Sequence, residues 1–578
     1  MNLPWKIAAP ALAALAVAGC NLNLTEPAPF DPRALQRDSR AAAAGLDAPP
    51  KRPLPATVQS PFLGEDGRPR PKPTVDDNSG VPLGAEPTIR LSLQEIIQRT
   101  VANNGEVRVA GYTPAIDQTR VIEAEARFDP TAFANAGVER RTSVDPFGNV
   151  SGLGAVTYSV EGGVRQLLQS GGQLEVRYRS ALVDIPDTSI GFTGQDGPTL
   201  YQNELVLQLQ QPLLRDFGNE INRARISINR NNQKISILEF RRQLEETLSE
   251  TERIYWQLVQ AEREVRIAER LLQRSIDTAE IIFRRGRDDV TQAQISQANA
   301  SMESRRSDLI AARARVRDLS DQLKRAMQDP AFPTSSPVVI LPAVPPVEEP
   351  VKFNFEETIA QAYENRLELG QQQLRVGNAE IASKVARNNL LPQLNLNLTG
   401  GLQGVDPQWI DAVGDQASLE SDNYSFQVAL QFEIPIGNRA ARAIYARAML
   451  QRMQAIEQYR SLIEQIALDV RQAWRDVETS WAQIAANRAA RFAAADALAS
   501  VERRREQGEA LTPTFVQLIL DRQEALAQAE RAEAQAVSNY NIAISRLELA
   551  KGTLLRYNNV VIEEEDLPFV KTFGMYGR

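Results

Sequence analysis

The chain repeats itself, and that repeat constrains the fold more than any other feature. Leu93 to Pro130 and Phe355 to Pro392 each span 37 positions (130 − 93 and 392 − 355) and align without a gap at an offset of 262. Within them Glu95 matches Glu357, Ile97 matches Ile359, Asn103 matches Asn365 and Glu106 matches Glu368. Each copy then runs into strand-like alternation, a proline and a very long helical stretch. A duplicated unit of this length dictates architecture before any local propensity does.

The long stretches lack helix breakers. Neither Gly nor Pro occurs from Asn219 to Arg285, Arg287 to Asp329, Asn438 to Gln507, or Thr514 to Lys551. Such runs imply a coiled coil, a membrane span or a helical repeat. Their density in Arg and Glu rules out the span. Heptad spacing supports side-by-side helices: Leu244, Thr251, Leu258, Val265 and Leu272 share one register, with Leu248 and Tyr255 as companions. Ile463, Val470, Val477 and Ile484 do the same in copy two, with Ile466 and Ala473 between. Each run is interrupted once, at Gly286 and at Gly508 to Pro513, so each copy reads as a helical hairpin. The 74 and 73 positions from Pro212 to Gly286 and from Pro435 to Gly508 correspond to arms of roughly 110 Å.

Strands precede the rods. Phe426, Val428, Leu430 and Phe432 alternate with polar or small residues, as do Leu394, Leu396 and Leu398. In copy one the same pattern runs through Val156, Tyr158, Val160 and Val164, through Leu174, Val176 and Tyr178, and through Leu205, Leu207 and Leu209. About ten alternating residues between turns is the weak signature of an outer-membrane barrel strand; a soluble sandwich, or single sheets packed on the helices, is the other reading. Copy one is longer by 39 positions between its helix start and its rod (119 − 80), within Thr142 to Tyr201, and this excess is an added strand pair or long surface loops. The fold class is α+β, mainly α.

Composition excludes other functions. There is no His, which removes the commonest general base and metal ligand. The net charge of −8, without a basic stripe, argues against nucleic acid. No catalytic motif, metal site or cofactor stands out, and an enzyme is not expected. The single Cys admits no intrachain disulfide. It lies in Val17-Ala18-Gly19-Cys20, after an apolar run too short to span a bilayer. This run resembles a bacterial lipobox, which implies lipidation of Cys20 and, with Asn21 following, an outer-membrane destination. Two Pro-rich segments, Pro27 to Pro87 and Pro330 to Pro350, hold 13 and 7 of the 33 prolines and read as extended connectors. The expected organisation is signal peptide 1–19, anchor and tether 20–88, first repeat 89–329, linker 330–350, second repeat 351–556 and acidic tail 557–578.

The pattern resembles the TolC-like outer-membrane efflux family. The residues that carry the likeness are the paired helix starts LSLQEII and FNFEETI, the junctions QQPLLRDFGN from Gln210 and EIPIGNRAA from Glu433, the tips, and ISRLELAKGTLL from Ile544. The resemblance implies a homotrimer. Its shared barrel would lie in outer-membrane lipid, and its helical barrel would extend into the periplasm to a periplasmic adaptor protein and an inner-membrane RND or ABC-type pump. Pro130, Pro212, Pro392 and Pro435 would mark the strand-to-rod junctions. Arg284, Arg285, Gly286, Arg287, Asp288, Asp289, Arg505, Gly508 and Glu509 would form the periplasmic gate, some of them bridging tip to tip, and an acidic ring there would favour cations. The tips depart from the family pattern: Arg287 stands where Leu is expected, and copy two has no Asp-Val. The aromatics Tyr255, Trp256, Trp474 and Trp481 read as packing between hairpins. A lipid-anchored coiled-coil spacer or adhesin without a pore is the rival reading; it leaves the alternation at Tyr424 to Phe432 unexplained.

Overall fold

The computed structural model describes residues 87–141, 155–184, 199–284, 291–417 and 423–561. Copy one begins with strand β1 (Thr88–Leu91) and helices α1 (Leu93–Asn103) and α2 (Gly105–Glu125). Ser92 caps α1, accepting from the Glu95 amide while the Glu95 carboxylate accepts from the Ser92 amide. This capping box removes two orphan donors from the helix start. Copy two repeats the arrangement 262 residues later: α5 (Phe355–Asn365) corresponds in both its ends to α1, and α6 (Leu367–Asn388) starts in step with α2.

The strands are β2 (Thr131–Arg141), β3 (Ala155–Leu167), β4 (Gln173–Asp184) and β5 (Thr199–Pro212) in copy one, and β7 (Gln393–Asp406) and β8 (Tyr424–Glu433) in copy two. They form one antiparallel sheet in the order β2-β3-β4-β5-β7-β8. The excess of copy one is therefore, among the described residues, a strand pair: the hairpin β3–β4, with no counterpart in copy two.

The rods are α3 (Ala224–Arg284) and α4 (Gln292–Met327), then α8 (Arg439–Glu506) and α9 (Pro513–Lys551). Helices of 61 and 68 residues span about 90 and 100 Å. They are shorter than the sequence estimate because the chain spends residues 213–223 and 436–438 on the junction turns. The returning arms have 36 and 39 residues and cover only the tip-ward part of the long helices. α2 and α6 complete the packing on the sheet side, so each copy is a long helix flanked by two shorter ones, more than a simple hairpin.

Apolar clusters run along these rods. One joins Tyr255, Leu258 and Val265 of α3 to Val316, Leu319 and Leu323 of α4. A second joins Ile463, Ile466, Val470 and Val477 of α8 to Val537, Tyr540 and Leu547 of α9. The predicted heptad positions are thus the buried ones; Leu272 alone stays partly exposed. The four aromatics pack, but their ring contacts lie within a copy and not between hairpins, with Trp474 5.7 Å from Phe355. Tyr255 meets Trp256 edge-on at 5.1 Å, and Trp481 lies 5.3 Å from Tyr540.

The linker differs from its expectation. It is extended, but it is packed. Strand β6 (Val339–Pro342) is buried throughout and pairs in parallel with β1, Thr88 opposite Val339 and Leu91 opposite Pro342. Beyond it the chain is strapped to the rods. The Val344 amide donates to Tyr255 Oη at 3.3 Å, Val347 to Asn541 Oδ1 at 3.0 Å, and Val351 to Tyr540 Oη at 3.0 Å. Proline content signals extension, and extended apolar chain with four buried residues in a row is as suited to a rod groove as to a free tether.

Candidate channel wall, rod core and tip

Cross-strand register gives the sheet two chemically distinct faces. Side chains alternate along each strand, and directly paired residues share a face. One face carries Ala132, Ala134, Ala136 and Val138 on β2, opposite Val164, Gly162, Val160 and Tyr158 on β3. It continues through Leu174, Val176, Tyr178 and Leu182 of β4 to Leu209, Leu207, Leu205 and Tyr201 of β5. It ends on Leu394, Leu396 and Leu398 of β7, opposite Phe432, Leu430 and Val428 of β8. Many of these side chains stay uncovered and the rest are half-buried: Phe426 is 78% exposed, Leu430 66% and Val160 63%.

The other face is polar. It bears Asn135, Glu139 and Glu161, then Arg165, Glu175, Arg177, Arg179 and Glu204, then Gln208, Asn395, Asn397, Gln427 and Gln431. Arg165 stands opposite Glu175, and Arg179 opposite both Glu161 and Glu204, whereas Arg177 stands opposite Gly163 and Val206. Strands of 10 to 14 residues suffice to cross a bilayer at the usual barrel tilt. Among the described residues, no helix is long and apolar enough to cross one.

The four predicted junction prolines gather at one end of this sheet. Pro130 and Pro392 immediately precede β2 and β7; Pro212 closes β5, and Pro435 follows β8. The turns into the rods use left-handed residues, Asp216 and Gly218 in copy one and Gly437 and Asn438 in copy two. The β3–β4 turn is locked onto the first of these junctions. The Gly218 amide donates to Ser170 O at 3.0 Å, and Ser170 Oγ bonds Gln211 Oε1 at 2.9 Å. Gly171 sits at φ +94°, and a Cβ there would come within 2.3 Å of Asp216 O. At the opposite end, helix α7 (Trp409–Ala417) crosses the outer face, with Trp409 Nε1 3.3 Å from Ser180 Oγ. Gly404 permits this, because a Cβ would meet Ala412 O at 1.9 Å.

Between sheet and tip, the rods enclose a charged cleft where α3, α6, α8 and α9 meet. Arg366 donates to Glu368 Oε2 at 3.0 Å, to Asp469 Oδ2 at 3.4 Å and to the Ala550 carbonyl at 3.4 Å. Glu245 lies in the same cleft, 6% exposed. Burial, reinforced by the Glu368 carboxylate and opposed by the Arg366 guanidinium, pushes the Glu245 carboxyl up to about 7.

Nearer the tip, a polar knot ties the two hairpins together. Arg305 of α4 is 5% exposed. It bonds Ser275 of α3, donates to Gln523 Oε1 at 3.0 Å and to the Leu520 carbonyl at 3.1 Å, both on α9. Gln523 in turn donates to Thr278 Oγ1 at 3.0 Å. Gln294, 2% exposed, donates to the Leu511 carbonyl at 2.7 Å. Around them Ile282, Val501, Phe515, Val516 and Ile519 form one apolar cluster shared by both copies. Sequence reading missed these residues, because an Arg inside a charged helix has no pattern that separates it from solvated surface.

Of the gate candidates, Arg285, Gly286, Arg287, Asp288 and Asp289 lie outside the described residues, as does Cys20. Arg284 pairs with Glu280 of its own helix. Glu509 pairs at 2.5 Å with Arg504, one residue before the predicted Arg505, and the Arg504 guanidinium holds the Glu509 carboxyl below its usual range. Gly508 adopts φ +88° in the turn between α8 and α9. Among the described tip residues, these pairs stay within one helix or one turn.

An amphipathic sheet feeding long paired rods is a fold that several solved outer-membrane channels share. Solved structures with this fold include VceC from Vibrio cholerae, 16% identical, with a TM-score of 0.57 over 80% of this chain and 96% of that one. They include the open state of MtrE from Neisseria gonorrhoeae, 18% identical, with a TM-score of 0.55 over 83% and 95%. CmeC from Campylobacter jejuni is 16% identical, with a TM-score of 0.54 over 80% and 86%. No curated relative matches the sequence. Residues 358–553 match the family described as Outer membrane efflux protein. The family match falls on the second repeat, and the likeness of the whole chain to the solved outer-membrane channels is one of fold.

Proposed function

We propose that three copies of the chain close into one passive duct, with the sheets forming a shared outer-membrane barrel and the rods a helical tube through the periplasm. The observation that carries this reading is the two-faced sheet. A largely apolar face that runs across six strands, interrupted at Ser180 opposite Asn203, suits lipid, and the polar face suits a water-filled lumen. Closure follows from energetics. An isolated sheet leaves the outer edges of β2 and β8 without partners, and unsatisfied backbone groups in hydrocarbon cost several kcal/mol each. The rival spacer reading has no use for such a sheet.

In this reading the tips meet a periplasmic adaptor, which couples the duct to an inner-membrane pump of the RND or ABC type; the duct itself consumes no energy. Cys20 carries the lipid, and more than one acyl chain gives stable anchoring. The charged tips form the resting gate, through Arg284 to Asp289 of copy one and Arg505, Gly508 and Glu509 of copy two.

The test is a pair of measurements on outer-membrane fractions and purified protein. A species that migrates as a trimer unheated and as a monomer after boiling, and that conducts ions in planar bilayers, is expected. A monomer without conductance refutes the channel. For the gate, Glu509→Ala and Asp289→Ala should raise resting conductance; unchanged current and selectivity would remove those residues from it.

A further inference from the structure

We propose that the copy-one hairpin β3–β4 is an added pair of staves that widens the outer-membrane exit to eighteen strands and makes it a portal for bulky hydrated solutes. The inference rests on the trimeric channel reading above.

The two copies provide the measure. Copy two brings two strands to the sheet, β7 and β8, and copy one brings four. β2 starts 262 residues before β7, so these two are counterparts, and β5 and β8 each lead into a rod. What remains is β3–β4. Two strands per copy would give four per chain and twelve in a trimer (4 × 3). The sheet has six per chain, hence eighteen (6 × 3).

Three observations make the hairpin part of the wall. It lies inside the sheet, with β3 paired to β2 over eleven residues and β4 paired to β5 over twelve. Removing it would leave a gap between β2 and β5. Its faces match those of its neighbours, with Val160, Val164 and Val176 in the apolar band and Glu161, Glu175 and Arg179 on the polar side. Its turn is bonded to the junction at Gly218 and Gln211, which fixes its height relative to the rods.

Strand direction permits closure. Alternation along β2-β3-β4-β5-β7-β8 leaves β8 antiparallel to β2, so β8 of one chain meets β2 of the next in the geometry that every internal pair uses. At a strand spacing of about 4.8 Å and a tilt of about 40°, eighteen strands give a backbone diameter of about 36 Å, against about 24 Å for twelve. Barrels of sixteen to eighteen strands hold an open aqueous channel. The added staves also bring most of the lining charge of the sheet, in Glu161, Arg165, Glu175, Arg177 and Arg179, which holds water in the exit.

Electron cryomicroscopy of the full-length protein in lipid nanodiscs counts the staves. Thiol scanning of the hairpin in intact outer membranes adds the orientation, with the unsubstituted chain setting the Cys20 background. The expected result is a threefold ring of eighteen strands about 36 Å across. Thr157→Cys, Ser159→Cys and Glu161→Cys should then be open to a membrane-impermeant maleimide, and Val156→Cys, Tyr158→Cys and Val160→Cys closed to it. A threefold ring of twelve strands, with uniform labelling along the hairpin, overturns the inference and leaves the channel intact. Absence of any closed ring overturns both.

Discussion

Glu245→Gln keeps the shape of a buried side chain and deletes its charge, so it isolates the cost of ionising that carboxyl in the rod cleft. The group titrates near 7 in the folded protein and near its ordinary 4.5 in the unfolded chain. Its folded-state pKa is raised, and for an acid this means that folding grows less favourable as pH rises. Below about 4.5 the group is protonated in both states and costs nothing. Between 4.5 and 7 the penalty grows by about 1.4 kcal/mol per unit, and above 7 it levels off at about 3 kcal/mol. Its largest source is burial, with Glu368 and Glu246 adding repulsion and Arg366 subtracting some of it. The variant should therefore match the natural protein at pH 4.5 and exceed it by about 3 kcal/mol per chain at pH 8. Thermal dissociation of the purified trimer, followed at both pH values, measures the difference. A shift of equal size at both would show that the amide improves packing and that the carboxyl is not strained by ionisation. A loss at pH 8 would show that the ionised group is stabilised by its guanidinium neighbour, reversing the argument.

Further expectations test the wall, the knot and the strap. Phe426→Arg places a charge on the lipid-facing side of β8 and should cost about 2–4 kcal/mol, emptying the outer membrane of trimer, whereas Gln427→Arg on the polar side should assemble and shift ion selectivity. Arg305→Leu strips the Gln523 side chain and the Leu520 carbonyl of their donor and should destabilise by about 2–4 kcal/mol; Arg305→Leu combined with Gln523→Leu should recover part of that in a double-mutant cycle. Tyr540→Phe loses a bond to the Glu349 carbonyl and one from the Val351 amide. It should cost about 1–2 kcal/mol and speed proteolysis between residues 343 and 352, read by gel.

The features legible in the sequence were those set by period. Helix positions at seven-residue spacing, such as Ile463 and Val470, are buried because the rods pair along that seam. Alternation in Leu205 to Leu209 and Phe426 to Phe432 marked strands because the sheet has one apolar and one polar face. β2 went unread: its outward side chains are Ala132, Ala134, Ala136 and Val138, too small to give a strong alternation. The depth of the linker was hidden because prolines report backbone extension and say nothing of what the extended chain lies against. The Arg305–Gln523–Thr278 knot was hidden for a different reason. Its members lie on three helices, up to 245 residues apart, and each looks like ordinary rod surface until the helices are brought together.

The parallel pairing of β1 with β6 also has a bearing on the order in which the molecule can mature. Leu91 and Ile96 share one apolar cluster with Val339, Ile340 and Leu341, so copy one lacks part of its interior until residue 342 is present. The loop closed by this contact is some 250 residues long, and loop-closure entropy delays such contacts relative to local ones. A chain truncated after the first repeat should therefore stay open and expose its rod seam, with no completed half that could assemble by itself. The strap makes the two copies a single cooperative unit in time as well as in space, and partial chains are left without a stable surface from which a defective assembly could be built.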